Sequence, residues 1–347
     1  MNTIEYSDIV LSNGIGYVVD FVPSALLAFD LTSGNILWSA SLQYSSTEAT
    51  PAVSNGRVFV AEDDLFWAFD ALSGSLLWTS DVEHGEATPA AFDGGLVFFG
   101  AGRTLYAFDE VTGQPRWTYA LGAPAERPTI VDGTIYIGGD EGYPTFRKFV
   151  TAIDASTGTP KWKSYVDDTV NTAAVVSGGC VYVATNGNRG PGTMYALNAA
   201  DGSTIWTAPL GSNASPLTSP ALADGLVYVA DLYNLWAFDA HTGSVRWTVA
   251  LGDITEGSSP AVANGVVYVA SIHNHAYAFD ALSGEKLWDS GDLGSGISSS
   301  PVVADGKMYI GTRGDSLPHE LGRIFAFSVS DAATRSKPAP SSARLGH

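Results

Sequence analysis

Seven tryptophans each sit four residues after a glycine: Gly34 to Trp38, Gly74 to Trp78, Gly113 to Trp117, Gly158 to Trp162, Gly202 to Trp206, Gly243 to Trp247 and Gly284 to Trp288. Successive tryptophans are 39 to 45 residues apart. A near-constant period of that size marks a repeat architecture, in which each unit buries its apolar surface against its neighbours. Upstream of each glycine runs an apolar segment ending in an acid or its substitute, as in Ala68-Phe69-Asp70 and Ala278-Phe279-Asp280. Further upstream stands a phrase such as Ser259 to Val269, with related copies starting at Thr50, Thr88, Arg127, Thr172, Ser219 and Ser300 and a degenerate one from Ile9 to Val19.

Each copy reads as four short strands, because apolar and polar residues alternate and turn residues punctuate every few positions. Asn55-Gly56, Asp132-Gly133, Asp224-Gly225, Asn264-Gly265 and Asp305-Gly306 are tight hairpin signals. Eight such units predict an all-β, eight-bladed β-propeller of four-stranded antiparallel blades, which leaves only short, protected sheet edges. Residues 1–330 are expected to form this single domain, with 331–347 as a flexible tail rich in Ser, Ala, Pro and Arg. The eighth copy lacks a tryptophan segment. Closure by mixed termini is the preferred expectation, with Thr3 to Tyr6 as the missing strand, and Thr334 to Lys337 is the alternative.

The phrase Ala-Phe-Asp-Ala-x-Ser/Thr-Gly-x-x-x-Trp resembles the tryptophan-docking motif of PQQ-like repeat propellers. That family includes quinoprotein alcohol dehydrogenases and the propeller lipoprotein of the bacterial outer-membrane assembly machinery. The resemblance covers residues 7 to 330 and implies that each of the seven tryptophans packs between adjacent blades. Trp67 and Trp236, on third strands, read as inter-sheet core. The dehydrogenases carry adjacent cysteines at the quinone and long inter-blade insertions. This chain has one cysteine and short connections, so no quinone is expected; the histidines of blades seven and eight with an acid could hold a metal, although no His-x-x-x-His or Cys-x-x-Cys spacing supports one. The resemblance is nearer to the assembly lipoprotein.

A net charge of −19 with 17 Lys and Arg argues against nucleic acid and anionic membranes as partners, since both reward basic patches. The start of the chain has no apolar or basic leader pattern, and no stretch has the length of a membrane helix. The chain as written reads as cytoplasmic and monomeric; a segment separated from its native signal would belong to the periplasm or the outside. Cys180 alone excludes an internal disulfide and reads as a small buried hydrophobe.

Loop lengths point to one face. From hairpin glycine to the Asp position, blades two, three and six take 14 residues, blade seven 15 and blade one 16, whereas blades four, five and eight take 21, 19 and 22. All three insertions fall between strands two and three, the side on which a repeat scaffold is expected to carry its function. There the blade-four loop offers Tyr143, Phe146 and Arg147, which are binding-anchor residue types; a loop folded back on its own blade is the alternative. Asp63, Arg103, Arg189, Tyr233, Asn234 and Arg323 complete the ligand-binding candidates. Acids near the same mouth (Glu48, Glu86, Glu126, Glu256, Asp140-Glu141, Asp167-Asp168) read either as a cation-attracting ring or as solvated loop residues. The blade-five loop Gly187 to Gly192 lacks the Lys-Ser/Thr step of a phosphate loop, and His241 lies in a turn on the other face.

Two functions follow. One is a scaffold or sensor propeller that binds a protein or small molecule through the inserted-loop face. The other is a quinone-independent lyase, cyclase or isomerase with an acid/base site on blades seven and eight, using His273 or His275 as base, His319 beside them, and Glu320 and Arg313 to orient substrate. The plainer reading of His273-Asn274-His275 is a strand-end loop.

Overall fold

The computed structural model describes residues 7–21, 24–43, 50–62, 64–85, 87–170, 172–187, 191–211, 218–251, 258–297, 299–312, 323–329 and 341–343. They form eight antiparallel sheets of four strands, each sheet built from strands consecutive in the chain. The protein is all-β, and the eight sheets are the blades of a β-propeller. Blades one, six, seven and eight make one compact unit, and blades two to five with the Ala240–Gly243 turn make another.

Blade four shows the local logic. Its strands are Thr129–Val131, Thr134–Asp140, Lys148–Asp154 and Pro160–Val166. The first hairpin turns at Asp132 and Gly133, both with positive φ, which Asp and Gly tolerate better than branched residues do. The second hairpin turns at Asp154, whose Oδ1 accepts the Ser156 and Thr157 amides at 3.1 and 3.0 Å and both hydroxyls at 2.6 and 3.0 Å. This side chain mimics a backbone turn, which is why Asp-x-x-Ser/Thr-Gly recurs. The inner two strands are buried along most of their length, whereas Pro160–Val166 alternates exposed and half-buried.

The tryptophan then joins blades. Trp117 Nε1 donates to Ala155 O at 3.0 Å, in the turn of the next blade, and Trp162, Trp206 and Trp247 do the same to Ala199, Ala240 and Ala281 at 2.9, 3.0 and 3.0 Å. The indole lies flat over the turn glycine. A Cβ on Gly158, whose φ is +72°, would stand 2.7 Å from Trp117 Cδ2. The repeated glycine therefore serves both the left-handed turn and the close approach of the ring. A tyrosine from the second strand reaches the same carbonyls: Tyr182 OH to Ala240 O and Tyr228 OH to Ala281 O, both at 3.0 Å. Between these seams lie apolar layers such as Phe59, Phe66 and Phe99, with Phe66 and Phe99 stacked at 3.8 Å. Trp67 and Trp236 are half-buried and stack on Phe69 and Phe238 of their own strands.

Blade eight corrects the expected closure. Its fourth strand is Ser341–Ala343, paired with Ile324, Phe325 and Ala326, so the segment expected to hang free contributes a strand. Thr3 to Tyr6 lies outside the described residues, as does Thr334 to Lys337. Spacing explains the choice. The shortest crossings from a fourth strand to the next first strand run from Ala120 to Thr129 and from Val166 to Val175, and the step from Tyr6 to the first strand at Val10 is less than half as long. Within its unit, blade eight packs on blade one through Tyr309 and Ile324 against Ile9, Val18 and Phe29, and the Ser300 amide donates to Asp8 Oδ1 at 2.7 Å. Cys180, expected to be buried, is half-buried because it opens its strand.

Two outcomes test this account. Gly158→Ala should destabilise by roughly 2–4 kcal/mol, combining a strained backbone with a displaced indole, read as a lowered denaturant midpoint; an unchanged midpoint would contradict the docking role. The turn carboxylates Asp30, Asp70 and Asp280 sit below their ordinary range, chiefly through amide and hydroxyl bonds from Ser33, Ser73 and Ser283, and Asp154 is lowered to about 2 by Ser156 and Thr157. Such groups stabilise the fold fully above the unfolded carboxylate range, so stability should fall as pH drops from about 4 towards 2, and Asp154→Asn should flatten that fall.

Candidate functional site

The inserted loop of blade four is the best-defined feature of the strand-two-to-three face. Its base is clamped by an ion pair between Lys148 Nζ and Asp140 Oδ2. The Gly142 amide donates to Asp140 Oδ1 at 2.6 Å, and the Glu141 amide to Arg147 O at 3.0 Å. A single inner turn closes on Phe146 N to Gly142 O at 2.7 Å, with a cis Tyr143-Pro144 bond. Glu141 then ties the loop to the blade: Oε2 accepts the Thr145 hydroxyl at 3.1 Å and Oε1 the Tyr165 hydroxyl at 2.5 Å. The Arg147 guanidinium lies 3.4 Å from the Tyr165 ring centre.

This framework leaves two rings outside it. Tyr143 is 86% exposed and Phe146 58%, meeting edge to face at 6.0 Å. The loop thus folds back through Arg147 and leaves Tyr143 and Phe146 facing outward. Hydrogen bonding sets the charge state: the Tyr165 bond, then the Thr145 bond, hold Glu141 below its ordinary value, and the same bond raises the Tyr165 hydroxyl. Asp140 is also lowered. Burial opposes this, but Lys148 and the Gly142 amide outweigh it, with a smaller contribution from Arg103. Arg103, on the neighbouring blade-three loop, is exposed, and its amide donates to Glu83 Oε2 at 3.2 Å. The blade-three and blade-four loops are thereby electrostatically linked.

Other candidates are placed less favourably for ligands. Asp167 accepts the Thr185 and Thr193 hydroxyls at 2.7 and 2.6 Å and so braces the blade-five loop. Asn234 is spent locally: buried Asp231 accepts its amide at 2.7 Å, the Tyr233 amide at 2.8 Å and Trp236 Nε1 at 2.7 Å. Tyr233 remains 46% exposed. Arg323 opens a third strand, its amide donating to Thr312 Oγ1 at 3.2 Å. Asp63 and Arg189 lie outside the described residues, as do Glu48, Glu86 and Glu256.

On blade seven, His273 is exposed and its amide donates to Ser271 Oγ at 3.0 Å. His275 Nδ1 is 2.8 Å from Asp289 Oδ1, and its ring stacks near Tyr277. Burial works against the Asp289 anion, but His275, the Gly291 amide and Lys286 lower its pKa overall. Asp289 was missed as a candidate. The signal was available, since Trp288 is followed by an acid where the other six copies have Ser, Thr or Lys. His319, Glu320 and Arg313 lie outside the described residues. Among the described residues, no group of three or more His, Cys, Asp or Glu comes close enough to hold a metal.

Two bodies of comparison bear on this geometry. Solved structures share the fold: the computationally designed Ika8 protein (TM-score 0.75, 16% identity, covering 90% of this chain and 94% of that one), a europium-containing methanol dehydrogenase (0.69, 16%, 90% and 83%) and BamB from Moraxella catarrhalis (0.63, 19%, 80% and 82%). At these identities the likeness defines the class, a β-propeller, and nothing finer. The sequence profile of the outer membrane protein assembly factor BamB matches residues 7–89, 67–165, 143–234 and 190–335, and the chain belongs to this family of PQQ-like repeat propellers. Curated relatives include the serine/threonine-protein kinase AfsK of Streptomyces griseus, 33% identical over 134 residues, and BamB of Yersinia pestis, 31% identical over 114. Those alignments take in 35% and 29% of this chain, and only 15% of the kinase and 28% of the assembly factor. The residues present do not fit a quinone of the dehydrogenase kind, for the one cysteine, Cys180, opens a second strand at a hairpin.

The bond between Glu141 and Tyr165 gives the loop a titratable reporter. Glu141→Gln should lower the Tyr165 pKa towards the ordinary value of about 10, followed by NMR of isotope-labelled tyrosine. No change on substitution would show that the bond does not hold the loop.

Proposed function

We propose that this chain is a protein-binding scaffold, with the strand-two-to-three face as its docking side and the blade-four loop as its anchor. The observation that carries this reading is the pairing of an exposed aromatic couple, Tyr143 and Phe146, with a loop whose every turn is tied down by Asp140, Glu141 and Arg147. Exposed large rings cost solvation, and a loop pre-ordered in this way loses little entropy on association, so most of its burial would appear as affinity. The name of the family, an assembly factor, agrees with a partner that is itself a protein. It also favours the cell envelope over the cytoplasm as the place of action, a compartment the composition of the amino terminus does not decide. No helix among the described residues is long and apolar enough to cross a membrane.

A photo-crosslinking amino acid at position 143, and at exposed Leu72 in a turn between third and fourth strands as the control on the other face, tests the reading in the source cells. Discrete protein adducts are expected from 143 and not from 72. Equal yields at both sites, or none at 143, would overturn it.

A further inference from the structure

Blade four departs from the rest of the molecule in charge. The chain carries a net −19, yet Arg127, Arg147, Lys148, Lys161 and Lys163 outnumber the acids between residues 127 and 166. Two of these cations flank the docking tryptophan. The residues on either side of that tryptophan are Leu37 and Ser39 in blade one, Leu77 and Thr79 in blade two, Ile205 and Thr207 in blade five; only blade four has lysine on both sides.

Strand geometry makes this a stripe. Side chains two apart share a face; Lys161, Lys163 and Tyr165 are exposed on one face of Pro160–Val166, while Trp162 points the other way into the seam. Lys161 Nζ donates to Thr134 Oγ1 at 2.7 Å and lies 3.6 Å from Asp154. Lys163 Nζ stands 3.9 Å from the centre of the buried Phe149 ring, and Arg147 covers Tyr165. The cations run in the order Lys161, Lys163, Arg147, and the last is in the loop that carries Tyr143 and Phe146. The same strand is the outermost of its sheet, with no strand on its free edge among the described residues.

We infer that the outer strand of blade four accepts an extended, acidic segment of a partner protein by strand addition, its alternate carboxylates facing Lys163 and Arg147 and an apolar residue beyond them seated on Tyr143 and Phe146. This rests on the scaffold reading and names the partner's chemistry. Backbone pairing at the free edge supplies affinity, and side chains at every second residue supply selectivity. Opposite charges directly across paired strands stabilise them, and like charges repel. The acidity of the remaining surface then acts as discrimination, since an acidic segment is repelled wherever blade four is not. The competing account is that lysines on an edge strand merely prevent unwanted pairing.

The probe is a short fluorescein-labelled peptide alternating glutamate with valine and ending in leucine, beside an isomer with all the glutamates placed first. Fluorescence anisotropy on the full chain should show the alternating peptide binding at least tenfold more tightly than its isomer. Lys163→Glu should weaken it at least tenfold, Lys163→Arg should restore it, and added salt should weaken it. Equal binding of the two peptides, or binding unaffected by Lys163→Glu in a chain with an unchanged denaturant midpoint, would overturn strand addition and leave edge protection as the role of these lysines. Adducts at position 143 without such peptide selectivity would sink this inference alone; no adducts there would sink the scaffold reading beneath it.

Discussion

The indole laid over a glycine turn is the contact on which everything else in this chain depends. A four-stranded blade cannot bury both faces of its sheet by itself, so each blade is stable only against a neighbour. The tryptophan meets that need with one group: its ring covers apolar area, and its N–H satisfies a turn carbonyl that would otherwise be left half-dry. Trp117, Trp162, Trp206 and Trp247 all bond the residue that follows the turn acid or amide. The turn can receive the ring only because its glycine, four residues after the acid, lacks a Cβ. Acid, glycine and tryptophan therefore form one device divided between two blades.

That device frees the rest of each repeat to vary. Among the described residues, the strand-two-to-three loops carry no ring contacts of this kind; they differ most in length, and it is there that blade four builds a structure of its own. The loop is held by charge and hydrogen bonds around Asp140 and Glu141, which leaves its apolar residues for the outside. In an ordinary core the assignment would be reversed. A loop that spends its polar groups on itself leaves its rings to solvent, an exposed apolar feature of the kind that contact sites carry, and the proposed function rests on it.

Much of this was legible without coordinates. The period of Gly-x-x-x-Trp, the Asp-Gly hairpins and the Asp-x-x-Ser/Thr-Gly turns each act within a few residues, so their chemistry is written in local order. Residue type and loop length singled out Tyr143 and Phe146, which are exposed in the folded chain. Three things were not legible. Arg147 proved to be a brace through Tyr165, a contact between a loop and a strand that spacing does not reveal. His275 found Asp289, fourteen positions away across a hairpin. Asn234 was absorbed by Asp231, because a buried carboxylate takes the nearest donors.

The terminal blade shows the same division most simply. Repetition established by itself that eight units exist, that the last lacks a tryptophan, and that seven units carry the same Gly-x-x-x-Trp step. It left open which end of the chain completes the eighth sheet, since any short extended segment can satisfy the edge of Arg323–Ser328. The tertiary structure decided that with Ser341–Ala343, because pairing depends on which segment can reach the edge and not on its composition. In the same way the seven Gly-x-x-x-Trp steps defined where blades meet, while only the folded chain showed which of the varying residues are consumed in holding their loops and which are left facing solvent.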